Sequence, residues 1–340
     1  MEEFKHPQSD IFLKNMPNQS KSSQIKSHFD DFEDFSQIIQ GWGVDLKQVD
    51  CGRFIADLHQ VMTPEVLITD VHFNRHLIQK GDQPPGMKTF VIMAEDATPF
   101  VWRKQEVTRD NLIVFPDGSE LDAVSRGGFH VYTLSLAEHI VKEKLQSEAC
   151  PALARRVKQG GVLKAQPKKV QELRRFLRHV ISQVRQCPNL LVQQEFQQRL
   201  CDEISCYIFN ILDLSEENRL TLSFRKHARL VQGIETWLMD TDPEDYSVNE
   251  LCRAFHVNER TLRRIITKWY GVSPQQYLLA NRLNAVRKEL YRGCSSKAII
   301  TNVANRWGFW HMGRFALHYR RHFGELPSET IRQYKSSLEL

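Results

Sequence analysis

The chain holds no run approaching the ~18 consecutive apolar residues that a helix needs to span a bilayer. Its first residues, Met1-Glu2-Glu3-Phe4-Lys5, lack the basic-then-apolar order of a secretory signal. Both absences point to a cytoplasmic protein with no membrane partner. No Cys-x-x-Cys pair occurs among its seven cysteines, Cys51, Cys150, Cys187, Cys201, Cys206, Cys252 and Cys294, which are odd in number and widely spaced. Neither a disulfide framework nor a zinc cage is therefore expected, and the thiols read as reduced and mostly buried. A Gly-x-Ser-x-Gly elbow, a Walker loop and a Gly-x-Gly-x-x-Gly turn are all missing, and Gly41-Trp42-Gly43 is too short a match to count. His72 and His76 stand four apart, as two zinc ligands do on a helix, but the surrounding alternation is that of a strand and no third ligand follows. They read as surface or barrel-lining histidines, and no metal or cofactor is expected.

What is present is enough apolar material for two ordinary cores, 41% of 340 residues, together with 26% charged residues. The charge is uneven. Residues 246–335 hold 16 Lys+Arg against 5 Asp+Glu, a net of +11, whereas the whole chain nets +5, so the remainder is acidic at −6. A charge-rich stretch is often only a solvated helix face; spacing decides whether this one meets a polyanion.

Along the chain, residues 1–30, with Pro7, Pro17 and many Ser, Asn, Gln and Lys, read as a flexible leader. Residues 31–165 read as a β-rich sensor domain, strand-like from about Phe32 to Leu134. Leu67, Val71, Phe73 and Leu77 share one alternating face, and further runs fall at 89–93, 100–102, 112–115 and 129–134, the last after a turn at Pro116-Asp117-Gly118. Short strands with turn signals between them predict a small barrel or sandwich. Phe73, Phe90, Trp102 and Phe115 are candidates for lining an effector cavity there, although such aromatics are more often plain core. Residues 166–215 then change period. Val170, Leu173, Phe176, Leu177, Val180, Ile181 and Val184 recur every three or four positions, as do Phe196, Leu200, Ile204, Ile208 and Leu212. This predicts a helical hairpin near Pro188 that buries its stripe against the β-domain or against a second subunit, making a homodimer possible.

Residues 225–335 carry the most specific signals. Ser247 precedes Glu250 by three, a capping-box spacing that opens a short helix through Phe255. After a turn at His256-Val257, Asn258 serves as N-cap of a second helix that runs to about Tyr270 and closes at Gly271. In it Leu262, Ile265, Ile266 and Trp269 share one face, and Arg260, Arg263, Arg264 and Thr267 the other. Ser273 and Pro274 then start a spacer helix of about eighteen residues, roughly 27 Å long. Beyond Gly293 the pattern repeats: a helix at 298–306, a turn at Trp307-Gly308-Phe309, and a helix at about 311–323. There Phe315, Ala316, Tyr319 and Phe323 form the apolar stripe and His311, Arg314, His318 and Arg321 the outer row. The fold class expected is α+β, a β-rich N-terminal domain with a helical hairpin followed by an all-α domain of two helix-turn-helix units on a linker helix. Two basic helices held near the ~34 Å pitch of B-DNA fit successive major grooves.

From about 230 to 332 the sequence resembles the DNA-binding module of the AraC/XylS family of transcription regulators. The resemblance rests on Arg260-Thr261-Leu262-Arg263-Arg264, Gly271-Val272-Ser273-Pro274-Gln275-Gln276-Tyr277, Arg282-Leu283-Asn284-Ala285-Val286-Arg287, Trp307-Gly308-Phe309 and Phe323-Gly324-Glu325-Leu326-Pro327-Ser328. The extended stretches at 282–290 and 307–316 are most similar to the branch containing regulators of ethanolamine utilisation. Two departures stand out. Phe255-His256-Val257 lacks the glycine usual in the first turn, and Trp310 replaces the usual small polar or acidic residue after Gly308-Phe309. The resemblance implies a sequence-specific transcription regulator, by family habit an activator, with double-stranded DNA and RNA polymerase as partners and a small-molecule effector possible. Arg260, Thr261, Arg263, Arg264 and Thr267 are the candidates for the first groove. His311, Arg314 and His318 are candidates for base edges in the second, with Arg320 and Arg321 on phosphates. The competing expectation is an enzyme whose N-terminal barrel catalyses a reaction while the basic module tethers it to DNA.

Overall fold

Period-2 alternation builds the N-terminal half. In the computed structural model, which describes residues 22–148, 150–217, 222–292 and 297–338, strand β4 (Val66–Phe73) lies between β3 (Ala56–Met62) and β11 (Phe129–Ala137). Around this centre, β1 (Ser23–Phe29), β6 (Met87–Met93), β9 (Asn111–Val114), β12 (Gly161–Lys164) and β13 (Glu216–Glu217) complete an eight-stranded sheet in the order β1-β3-β4-β11-β6-β9-β12-β13. Strands β2 (Gly43–Gln48), β5 (Leu77–Asp82), β7 (Phe100–Trp102), β8 (Gln105–Val107) and β10 (Glu120–Val124) form a second sheet in the order β2-β5-β10-β7-β8. The described pairings are antiparallel and leave both sheets open, so the sandwich is realised and not the closed barrel. Aromatic rings fill the space between them; Phe73 stacks on Phe129 with centroids 4.4 Å apart, and Trp102 and Trp42 both pack on Phe115.

Three departures from the sequence reading have local causes. Residues 1–21 of the expected leader lie outside the described residues, but within the remainder Ser23–Phe29 pairs with β3 as an edge strand. Its polar composition hid it because an edge strand buries little of its surface. Phe32–Ile38, inside the stretch read as strand-like, is helix α1, because Asp31 accepts bonds from the Glu33 and Asp34 amides and Phe32 and Phe35 then face the core together. The described cysteines are free thiols but not mostly buried: only Cys201 is, while Cys51, Cys187 and Cys206 are exposed and Cys294 lies outside the described residues. Helices α2 (Glu138–Glu148) and α3 (Pro151–Gln159) follow the sheets.

The hairpin is formed by α4 (Pro167–Gln186) and α5 (Gln194–Asp213). Val170, Leu173, Leu177, Val180 and Val184 from the first, and Leu200, Ile204, Ile208 and Leu212 from the second, belong to the same core as the sheets. The apolar stripes are thus used within one chain. Next come α6 (Leu222–Asp240), α7 (Val248–Ala254), α8 (Glu259–Tyr270), α9 (Pro274–Arg292), α10 (Lys297–Arg306), α11 (Met312–Phe323) and α12 (Pro327–Leu338). Val231, Ile234 and Leu238 of α6 pack with Leu262, Ile265, Ile266 and Trp269 of α8 in a second core. Among the described residues no helix is long and apolar enough to cross a membrane.

Candidate nucleic-acid interface

The first helix-turn-helix is held by side chains that its own sequence supplies. Ser247 Oγ accepts the Glu250 amide at 3.1 Å and Asn258 Oδ1 accepts the Thr261 amide at 2.8 Å, so both α7 and α8 begin on satisfied caps. Between them His256 takes φ +50°, the left-handed value that Gly308, at φ +76°, takes in the second turn. The turn geometry therefore persists without its glycine, at the steric expense of a Cβ in that region. Gly271, φ +74°, closes α8. Because Leu262, Ile265, Ile266, Trp269 and Tyr270 are buried, Arg260, Arg263, Arg264 and Thr267 are turned out to solvent and Thr261 is half-buried at the rim. The Thr267 hydroxyl donates to the Val272 carbonyl at 3.2 Å, which fixes its orientation.

A reciprocal box starts the spacer: the Ser273 amide donates to Gln276 Oε1 and the Gln276 amide to Ser273 Oγ. At 19 residues α9 spans roughly 28 Å. On the second unit Phe315, Tyr319, His322 and Phe323 are buried, and Gly324 ends α11 at φ +82°. His311, Arg314, Arg320 and Arg321 are exposed and His318 is half-buried. Sequence reasoning missed two neighbours on this surface. Trp310 and Leu317 are 62% and 66% exposed, whereas pattern alone assigns apolar residues to a core. Among the described residues Arg260, Arg264, Arg314, Arg320 and Arg321 form no ion pair. Arg263 meets only Glu259, at 3.5 Å on the helix surface, a contact worth little in water.

The opposite side of the same domain carries a buried, bonded arginine. Arg287 of α9 is buried and bonded to Asp31 and Glu33 of the N-terminal domain and to Glu325, with its guanidinium 4.8 and 4.9 Å from the Phe32 and Phe323 ring centroids. Burial and the neighbouring Asp31 push the Glu33 carboxyl up to about 8, against the opposing pull of Arg287. Asn284 exchanges two hydrogen bonds with the Gln48 backbone, and the His322 carbonyl accepts from the Gly52 amide and from Gln48 Nε2. Burial lowers the His322 imidazole to about 4, so it docks as a neutral ring. Arg126 donates to the Lys268 carbonyl at the end of α8, and Glu235 joins Lys80, Lys104 and the Tyr270 hydroxyl. The C-terminal ends of both basic helices thus rest on the N-terminal domain while their exposed rows do not.

The other candidates are dispersed. Phe73, Phe90, Trp102 and Phe115 are all core residues of the sandwich. His72 faces Asp57, and His76, in the turn after β4, lies against the Tyr270 backbone. Among the described residues no group of three or more His, Cys, Asp or Glu could hold a metal ion.

Paired helix-turn-helix units on one spacer, with an unpaired cationic row on each second helix, define a double helix-turn-helix DNA-binding module. Residues 251–333 match the family described as a helix-turn-helix domain. The XylDLEGF operon transcriptional activator of Pseudomonas putida is 36% identical over 110 residues, 32% of this chain and 33% of that protein. The HTH-type transcriptional activator RhaS of Escherichia coli O139:H28 is 31% identical over 156 residues, 45% of this chain and 55% of that one. Over this C-terminal domain the chain is similar to helix-turn-helix transcriptional activators. The chain spans about a third of the length of the Pseudomonas activators it matches. Among solved structures, the AraC-like transcriptional activator CuxR aligns over 77% of this chain and 94% of that one at 12% identity, with a TM-score of 0.41, too low for the two folds to be superposed residue by residue.

Proposed function

We propose that the protein is a sequence-specific DNA-binding transcription regulator acting in the cytoplasm as an activator, and not an enzyme. The observation that carries this reading is a division between arginines: Arg287, facing the N-terminal domain, is neutralised by carboxylates, while those on α8 and α11 are exposed without acidic partners beyond the weak Glu259 contact. Arg260, Arg263 and Arg264 contact guanine O6 and N7 in one major groove, with Thr261 and Thr267 beside them. His311, Arg314 and His318 reach base edges in the next, and Arg320 and Arg321 hold phosphates. The N-terminal sandwich senses a small-molecule effector. Two buried indole N–H groups, of Trp42 and Trp102, pack on Phe115 and have no hydrogen-bond partner among the described residues, which supports a ligand site bordered by Phe73, Phe90, Trp102 and Phe115. RNA polymerase is the downstream partner. A homodimer would use the outer faces of α4 and α5, since their apolar stripes are consumed within the chain.

The test is genome-wide mapping of bound sites followed by binding to the recovered duplex. Arg263→Ala is expected to weaken binding and relax discrimination at one base position by ~1 to 3 kcal/mol. Equal loss on every sequence would reassign Arg263 to a phosphate, and no sequence preference in the intact protein would refute the regulator.

A further inference from the structure

The exposed surface of α11 differs from that of α8 in kind. On α8 the outward positions, Glu259, Arg260, Arg263, Arg264, Thr267 and Lys268, are all polar or charged. Arg314 and Leu317, three apart, lie along one side of α11, and Trp310 stands in the backbone just before the extended N-cap His311. Trp310 and Leu317 expose 62% and 66% of their surface. Large apolar side chains left in water on a surface patch mark a contact. Gly313 lies between them in the first turn, where glycine weakens a helix relative to alanine. A Cβ added there would meet nothing within 4 Å, so the glycine leaves the helix surface bare and open to the approach of another body. No described contact of the N-terminal domain covers these three residues.

The occupant must satisfy two chemistries together. It must be anionic where Arg314, Arg320 and Arg321 stand without partners, and apolar at points between them. An acidic protein surface supplies the first without a regular second. The major groove of duplex DNA supplies both, because phosphates line its edges and each thymine projects a C5-methyl group into it, the one apolar landmark among the base edges. Recognition helices meet bases through their N-terminal residues, which is where Trp310 and Gly313 lie.

Building on the DNA-binding reading of α11, we propose that Trp310 and Leu317 read thymine C5-methyl groups in the second half-site, with Gly313 admitting the groove edge close to the helix. Apolar contact, and not hydrogen bonding alone, then sets part of the sequence preference of this unit. Arg314, between the two apolar residues, anchors the register.

The experiment measures affinity of the full chain for its mapped duplex, and for duplexes in which single thymines are replaced by deoxyuridine, a change that removes only the methyl group. At one or two positions of the α11 half-site, affinity is expected to drop about fourfold per methyl lost. Leu317→Ala and Trp310→Ala are each expected to abolish the deoxyuridine penalty at the thymine that residue reads, while Arg260→Ala, on the other unit, keeps every deoxyuridine penalty. Unchanged thermal unfolding of the two variants is expected because both side chains are exposed. A duplex insensitive to deoxyuridine throughout that half-site overturns the proposal while leaving DNA binding through α8 intact. So does a deoxyuridine penalty that survives both substitutions. Variants that bind DNA normally but no longer activate transcription with purified RNA polymerase would assign the patch to the polymerase instead. Sequence-independent binding by the intact chain would overturn both this proposal and the reading it rests on.

Discussion

Arg287 and Arg314 belong to the same helical domain and are used in opposite ways. The first is enclosed by Asp31, Glu33 and Glu325 between two phenylalanine rings, and the second stands in solvent without a carboxylate. The contrast separates two tasks that composition merges. A net charge of +11 over residues 246–335 describes neither face: Arg287 on the inward face is enclosed by carboxylates, and the outward arginines of α8 and α11 stand in solvent. Charge is thus a property of a surface and not of a segment.

Breaking the inward side should have the largest effect. Arg287→Ala leaves Asp31, Glu325 and the protonated Glu33 buried without their cation, and removal of one member of a buried ionic network costs about 3 to 5 kcal/mol. Denaturant unfolding should register that loss, or show the two domains unfolding separately; an unchanged midpoint would mean that the cluster does not hold the domains together.

The same cluster should respond to pH. Glu33 holds its proton in the folded chain up to about 8, above the ordinary carboxyl value of 4.5. A raised folded value contributes stability that is complete below the unfolded value and is lost as pH rises through the folded one. Wild-type stability is therefore expected to fall as pH rises from about 4.5 to about 8 and to level off above that. Glu33→Gln, which stays neutral, should flatten that part of the profile, and a profile unchanged by the substitution would contradict the assignment.

On the outward side, Arg320→Ala should leave base discrimination intact and lower the slope of log affinity against log salt by about 1, the release of one phosphate-bound counterion. A shift in base preference would move Arg320 from the phosphates to the base edges. The smallest effect is expected at His256, whose φ of +50° suits glycine. His256→Gly should stabilise the domain by up to about 1 kcal/mol in thermal unfolding, and a loss of stability would show that the imidazole makes a compensating contact.

How far the sequence anticipated this arrangement depended on how local each cause was. Ser247 with Glu250, Asn258 and Gly271 act within one turn of themselves, so the bounds of α8 were readable to a residue. Arg287 was not readable as a keystone. In the pattern of α9 it is one more basic residue, and its partners Asp31 and Glu33 lie at the other end of the chain, joined to it only by folding. The exposure of Trp310 and Leu317 was hidden for a related reason: an apolar residue in a helical pattern counts toward a core until the neighbouring surfaces are known. Strand β1 escaped because an edge strand carries too few apolar residues to alternate visibly, and α1 because two phenylalanines in a β-rich stretch outweighed the Asp31 cap.

The central claim is that two outward cationic helices on one rigid spacer enter neighbouring turns of a single duplex. Hydroxyl-radical footprinting of the intact protein on its mapped site addresses it most directly. The account predicts two protected patches on one face of the DNA, about 10 base pairs apart, with Arg263→Ala weakening one and Arg314→Ala the other. A single patch, or two patches on opposite faces, would contradict it.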